Sequence, residues 1–350
     1  MGKVTLQSIA DEVGVSRMTV SNAFSRPEKL SAELRERILA VADELGYVGP
    51  DPAARALARG RTGTVGLLIT GRLSEQASDP VGTEFLVAVA DALSDHGLAL
   101  TLITAGVGGE TVPARDVPMD GALVYVCEPE STDLAWLRRR DLPLVTVDQE
   151  ALPGHPSINV DDRAGARAAA QHLVDLGHRR VGLLNLHPIQ GGALDETPTD
   201  APWNPPASER DAGWRAALAG AGIDPAVELA PFRPVTAAYD AARRLLERPD
   251  RPTGLLCFSD VYAAQAMRAA ESLGLRVPQD VSVVGFDDSS LATAVHPTLT
   301  TVSQPVSDKG RLAVAALLDS MGATGPDPAR TVLPTSLVVR ESTAPPPSDS

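Results

Sequence analysis

After Gly63 the chain alternates short apolar runs with amphipathic helical patterns, and this alternation restricts the fold more than any other feature. The runs are Val65 to Ile69, Ala99 to Ile103, Gly121 to Val126, Leu144 to Val147, Val181 to Leu186, Gly254 to Phe258 and Val281 to Gly285. Between several of them lie helical patterns: Phe85 to His96, Ala164 to Leu176, Asp211 to Ala219, Ala237 to Leu246 and Ala263 to Leu273. Runs this short and this uniformly apolar read as strands buried on both faces, with the helices supplying the cover. The expected class is α/β, with parallel sheets that take ligands beyond the carboxyl ends of their strands. So many strands favour two doubly wound subdomains over one large sheet.

The first sixty residues follow a helical period instead. Thr5 offers a hydroxyl cap, and Leu6, Ile9, Ala10 and Val13 share one face of a helix that Gly14 ends. The turn Gly14-Val15-Ser16 leads into a second helix, Arg17 to Phe24, where Val15, Val20 and Phe24 face the first. Arg17, Met18, Ser21 and Asn22 then point outward. A third helix from Ser31 to Gly46 carries Leu34, Ile38, Val41 and Leu45 along one stripe. Two short helices joined by so tight a turn read as a helix-turn-helix, which places a helix end in the major groove of DNA. Pro52 to Ser74 follows without an acidic residue but with Arg55, Arg59, Arg61 and Arg72, a segment suited to phosphate oxygens.

The formal net charge of −14 does not oppose this reading. Residues 1–62 hold nine Lys/Arg against eight Asp/Glu, so the acidity lies in the remainder. Attraction to DNA must be local, and an acidic body disfavours tight non-specific binding. No N-terminal apolar h-region and no apolar run of membrane-spanning length occurs, so a cytoplasmic protein with no membrane partner is expected. Cys127 and Cys257 fit no metal spacing and read as buried thiols.

Val4-Thr5-Leu6, Ile9-Ala10, Gly14-Val15-Ser16, Thr19-Val20-Ser21, Ala54-Arg55-Ala56-Leu57 and Thr64-Val65-Gly66-Leu67-Leu68-Ile69 resemble the LacI/GalR (lactose-repressor) family of bacterial transcription regulators. The resemblance runs nearly the full length, to Leu337-Val338-Val339-Arg340-Glu341-Ser342-Thr343. It implies a helix-turn-helix domain over 1–49, a hinge helix over 50–62 and a periplasmic-binding-protein-like effector core over 63–341. The core would divide into an N-subdomain (63–161 and 298–324) and a C-subdomain (162–297 and 325–341). The crossings are expected near 159–165, 292–300 and 322–330, and residues 342–350 read as a disordered tail. That tail has no heptad leucines, so a homodimer rather than a tetramer is expected.

The resemblance also implies roles. Arg17, Met18, Ser21 and Asn22 would read the major groove; a bidentate Arg17–guanine contact is worth roughly 1–3 kcal/mol of discrimination. Thr5, Ser16, Thr19 and Arg55 would meet the DNA backbone, and Ala54 and Leu57 the minor groove. Leu57 would act as a wedge between base pairs, unstacking a step for about a few kcal/mol, offset by the contacts a kinked duplex permits. Asn22 stands where many members have arginine, and Asp51 where an asparagine is usual.

Effector contacts are implied at Arg210 and Asp260, then at Asp148 and Gln304, with Phe232 as an aromatic platform and Asp79 on the opposing loop. The proline-rich stretch from His187 to Ser208 reads either as a lid, with Trp203 stacking on an apolar sugar face, or as a surface insertion. Asp287 and Asp288 read as structural or hinge residues. Carboxylates after strands suit paired hydroxyls, so a carbohydrate effector is favoured over a nucleobase.

The expected function is a dimeric repressor on near-palindromic operator DNA, tuned by a small molecule in the cleft. A sugar-processing enzyme, or a solute-binding protein with an accessory helical head, is the alternative. No Gly-x-Gly-x-x-Gly after a strand, Walker loop, nucleophile elbow or histidine pair at ligand spacing is present, so neither enzyme chemistry nor any cofactor or metal is expected.

Overall fold

The computed structural model describes residues 4–49, 51–69, 79–104, 112–126, 131–187, 205–231, 234–322 and 329–348. The chain divides into two compact units, Met1–Gly63 and Thr64–Ser350.

The first unit is helical. α1 (Leu6–Val13) starts at Thr5, whose Oγ1 accepts from the Ser8 amide in a reciprocal capping box, and ends at Gly14 with φ 78°. α2 (Arg17–Ser25) is capped by Ser16 and α3 (Ala32–Glu44) by Ser31. Ile9, Ala10, Val13, Val20, Ala23, Ile38 and Ala42 form their common core, against which the edge-on pair Phe24–Tyr47 packs at 5.5 Å. Leu45, expected on the α3 stripe, is 38% exposed because the helix has already stopped there. α4 (Pro52–Arg59) occupies the expected hinge. Asp51 starts it, Oδ1 accepting from the Ala53 and Ala54 amides, and Gly60 ends it at φ 66°. The acid at position 51 is therefore a helix cap, and its carboxylate oxygen does this work as well as the amide oxygen of an asparagine of the same size.

The second unit holds two six-stranded sheets. The first runs β11-β5-β4-β3-β1-β2 and is parallel throughout. Its strands are β1 (Thr64–Ile69), β2 (Ala99–Thr104), β3 (Gly121–Tyr125), β4 (Leu144–Val147), β5 (Ser157–Val160) and β11 (Arg330–Leu333). The second runs β12-β10-β9-β8-β6-β7, with only β12 antiparallel. It comprises β6 (Val181–Leu186), β7 (Ala226–Ala230), β8 (Gly254–Cys257), β9 (Ser282–Asp287), β10 (Thr300–Ser303) and β12 (Ser336–Val338).

The helices cover both sheets. α5 (Pro80–Asp95), α6 (Pro113–Asp116) and α7 (Thr132–Arg139) belong to the first half. α8 (Asp162–Asp175), α9 (Pro205–Gly220), α10 (Thr236–Leu246), α11 (Asp260–Ser272) and α12 (Ser290–Ala294) belong to the second. α13 (Val306–Gly322) returns to the first sheet, where Val306, Ala313, Val314 and Leu317 join its core. α8 and α9 cross closely because Gly213 has no side chain: a Cβ there would lie 2.3 Å from the Arg163 carbonyl oxygen. Beside it Trp214 is buried. Among the described residues no helix is long and apolar enough to cross a membrane.

Two expected boundaries move. The chain crosses between sheets at Asp161, as expected, but then at Gln304–Pro305 and at Pro334–Thr335 instead of 292–300 and 322–330. β10 stays in the second sheet because Thr300–Ser303 pairs in register with Val284–Asp287, and β11 belongs to the first because it pairs with β5. The crossings are tied together: the Asp161 amide donates to Leu333 O at 2.8 Å, and Thr335 Oγ1 donates to Asp161 O at 2.9 Å.

The expected disordered tail is also corrected, as far as Ser348. Ser342 is fully buried, its Oγ donating to Val283 O at 2.6 Å and accepting from the Thr300 amide at 2.8 Å. Ala344 exchanges hydrogen bonds with Ser282 Oγ and meets His178 Nε2 at 3.0 Å. The prolines lack amide donors, but Ser342, Thr343 and Ala344 supply enough polar groups to anchor the strap.

Candidate functional site

At the carboxyl ends of β3, β4 and β9 the backbone takes conformations that side chains normally avoid. Val126, Asp148, Asp287 and Asp288 have φ of 45°, 52°, 115° and 55°. Each position costs free energy, and the surrounding packing must hold it there. These turns aim polar side chains toward the place where the two sheets face one another.

A continuous chain of buried charges results. Lys309, on α13 and fully buried, donates its ammonium to Asp148 Oδ2 and, at 3.0 Å, to Gln304 Oε1. Gln304 Nε2 donates to Asp287 Oδ1 at 2.7 Å. Arg210 reaches the same oxygen at 3.4 Å through Nη1, and Asp162 Oδ1 at 2.7 Å through Nε. Its Nη1 also donates to Phe258 O at 2.5 Å, while the guanidinium lies 3.6 Å from the Phe286 ring centre. Asp148 and Lys309 belong to the first subdomain, Asp287, Arg210 and Asp162 to the second, and Gln304 sits on a crossing. The chain therefore joins both subdomains.

Burial dominates the electrostatics. It pushes the Asp162 carboxyl up to about 6 against the opposing pull of Arg210. Asp287 is raised well above the ordinary carboxylate range, first by burial and then by Asp260 and Asp79, although Arg210 opposes both. The Tyr125 hydroxyl is raised by burial and further by Asp148, Asp79 and Asp287, which places those carboxylates around it. Tyr125 stacks on Phe85 with ring centres 4.4 Å apart.

Of the expected effector contacts, Asp148, Arg210 and Gln304 lie on this chain. Asp79 is half-buried beside it and caps α5 through the Val81 amide. Asp260 is fully buried and already occupied: it accepts from Thr301 Oγ1 at 2.5 Å and from the Ser289 amide and hydroxyl at 2.7 and 2.9 Å. It fixes β10 and α12 instead of facing the chain. Phe232 and Trp203, with most of the stretch that leads to α9, lie outside the described residues.

Asp287, expected to be structural, is a link in the chain; Asp288 does serve structure, accepting from Arg340 at 2.6 Å. Lys309, Asp162 and Tyr125 were not expected. One signal pointed to Lys309, for the chain contains only three lysines among 31 basic residues. Cys257 is a buried thiol pushed up by burial, and Cys127 lies outside the described residues. No group of metal-ligating side chains occurs among the described residues.

On the helical unit, Arg17 and Met18 are exposed, Met18 at 70%, while Ser21 and Asn22 are half-buried on the same helix. Thr5 and Ser16 spend their hydroxyls on caps, and Ser16 Oγ lies 2.8 Å from Thr19 Oγ1. Ala54, Arg55 and Leu57 are exposed on α4, Leu57 at 87%.

Two family models match the chain. Residues 5–49 match "Bacterial regulatory proteins, lacI family", and residues 170–343 match "Periplasmic binding protein-like domain". An HTH-type transcriptional regulator of Mycolicibacterium smegmatis is 39% identical, covering 98% of this chain and 97% of that protein. Among solved structures, a lac repressor dimer bound to operator and the anti-inducer ONPF is 27% identical, with a TM-score of 0.81 over 98% of this chain and 100% of that one. A CelR–cellobiose complex is 28% identical, with a TM-score of 0.68 over 97% and 100%. With the helix-turn-helix, the two parallel sheets and this near full-length identity together, the chain belongs to the LacI family of bacterial transcriptional regulators.

Proposed function

We propose that the protein is a homodimeric repressor whose grip on near-palindromic operator DNA is set by a carbohydrate bound between the core subdomains. The observation that carries this reading is the buried chain from Asp148 to Asp162, which links the two subdomains at the carboxyl ends of β4 and β9, passes through the crossing at Gln304 and ends beside the crossing at 161. A molecule that rearranges this chain changes how the subdomains meet, and that is a two-state element on which an effector can act. The CelR structure, a complex with cellobiose, supports a carbohydrate.

In this reading α2 enters the major groove with Arg17 and Met18 foremost, and Ser21 and Asn22 behind them. Thr5, Ser16, Thr19 and Arg55 meet phosphates, and Leu57 with Ala54 occupies the minor groove. Effector contacts come from Asp148, Arg210 and Gln304, with Asp79 at the edge. A coupling of about 1–3 kcal/mol changes operator affinity about 5- to 150-fold.

The test selects preferred duplexes from the DNA upstream of its own gene by gel shift, then titrates sugars into the complex. A sequence-specific shift that a sugar weakens supports the proposal. Binding without sequence preference, or turnover of the sugar without any shift, refutes it.

A further inference from the structure

α4 is eight residues long and is barely supported by packing: Ala53, Ala54, Arg55, Leu57 and Arg59 are exposed, and Ala56 is half-buried. A helix this short is marginal in water, since nucleation fixes several residues for one hydrogen bond. Its own ends and composition therefore decide whether it stands before DNA arrives.

Both ends are closed from within the chain. A helix start leaves its first few amide positions open. Here Pro52 has no amide, and the Ala53 and Ala54 amides donate to Asp51 Oδ1 at 2.8 and 3.2 Å. Amides in this position are also what a helix start offers to phosphate, so the Asp51 carboxylate already fills the place that a DNA phosphate could otherwise take. At the other end the Gly60 and Arg61 amides both donate to Ala56 O, Arg61 at 3.2 Å. Asp51 and Arg59 sit at the ends of the helix dipole that favour their charges, and four of the eight residues are alanine, the strongest helix former.

We infer that Asp51 holds α4 helical in the free protein, so that Ala54 and Leu57 meet the minor groove on a helix that DNA does not have to fold. Asp51 is then a positioning residue, which sets operator affinity through the helix instead of through a contact of its own. Apparent affinity falls in proportion to the fraction of molecules with the binding-competent form, and in a dimer that factor enters once for each protomer. The DNA half of the inference rests on the operator reading above, whereas the helix itself is measured without DNA.

Hydrogen exchange of the full-length protein without DNA, at millisecond labelling times and read on the peptide that spans α4, tests the first half. Operator affinity by fluorescence anisotropy tests the second. Removing an N-cap acceptor shifts a helix equilibrium by about 2- to 30-fold. The expected wild-type result is exchange slower than the unstructured rate by about fivefold or more, with Asp51→Ala bringing it close to that rate and weakening operator binding by about fivefold or more. Asp51→Asn keeps an acceptor oxygen and should keep both the protection and an operator affinity no weaker than wild type, a rescue that a role for the charge alone does not give. Wild-type exchange at the unstructured rate overturns the preformed helix. Protection that survives Asp51→Ala, or operator affinity within about twofold of wild type once protection is lost, overturns the role of Asp51. Protection in a protein that prefers no operator overturns the function proposed above and the DNA half of the inference, and leaves the preformed helix standing.

Discussion

Replacing Leu57 with alanine separates the folding role of α4 from its role on DNA. The side chain is 87% exposed, so its loss removes almost no contact within the described protein. Surface changes of this kind stay within about ±0.5 kcal/mol of wild-type stability. On operator DNA the same side chain would be buried between base pairs. Leu→Ala deletes three carbons at about 0.8 kcal/mol each, so with 87% of that surface still to be buried the loss is about 2 kcal/mol per protomer. Two protomers give about 4 kcal/mol as an upper value, and recovery of part of the unstacking cost lowers it to about 2–4 kcal/mol, or roughly 30- to 700-fold in affinity. Fluorescence anisotropy with labelled operator at fixed salt measures the change, with thermal unfolding beside it. Operator affinity within twofold of wild type refutes the wedge, and a clear fall in melting temperature shows that Leu57 packs on protein instead.

Arg210→Met leaves Asp162 and Asp287 buried without their guanidinium and should destabilise the core by about 3–5 kcal/mol, read from the urea midpoint. Asp162, held at about 6 in the folded protein against about 3.9 in an unfolded chain, keeps its proton where the unfolded chain has lost it. Its contribution to stability is therefore fully present below about pH 4 and is lost as pH rises through about 6, so the stability difference between wild type and Asp162→Asn should drift in that window and flatten above it. Gly213→Ala places a Cβ 2.3 Å from Arg163 O and should cost about 1–3 kcal/mol as α8 and α9 separate; an unchanged unfolding midpoint would show that the helices yield freely.

The helical unit was legible because its signals are local. Thr5, Ser16 and Ser31 mark helix starts, Gly14 marks an end, and the apolar spacing names the buried faces. The long apolar strands were equally plain. β5, β7, β10, β11 and β12 escaped notice because they are short, half-buried or polar: Ser157–Val160 contains an asparagine, and Arg330–Leu333 alternates exposed residues at a sheet edge. Missing β10 and β11 displaced two of the three crossings. Asp148, Arg210 and Gln304 could be named from family resemblance, yet their partners could not, since the bonds of Lys309 span 161 residues to Asp148 and those of Arg210 span 48 to Asp162. A lysine on an amphipathic helix ordinarily faces water, and only the packing of α13 against the first sheet turns Lys309 inward.

The central claim is that occupancy of the core adjusts the grip of the helical unit on DNA, and the most direct measurement is the operator dissociation constant of the full chain with and without a carbohydrate already known to bind it. A change of about 5- to 150-fold is predicted, and its disappearance in the Asp148→Asn protein. An operator affinity that stays the same while calorimetry shows the core saturated would contradict the account.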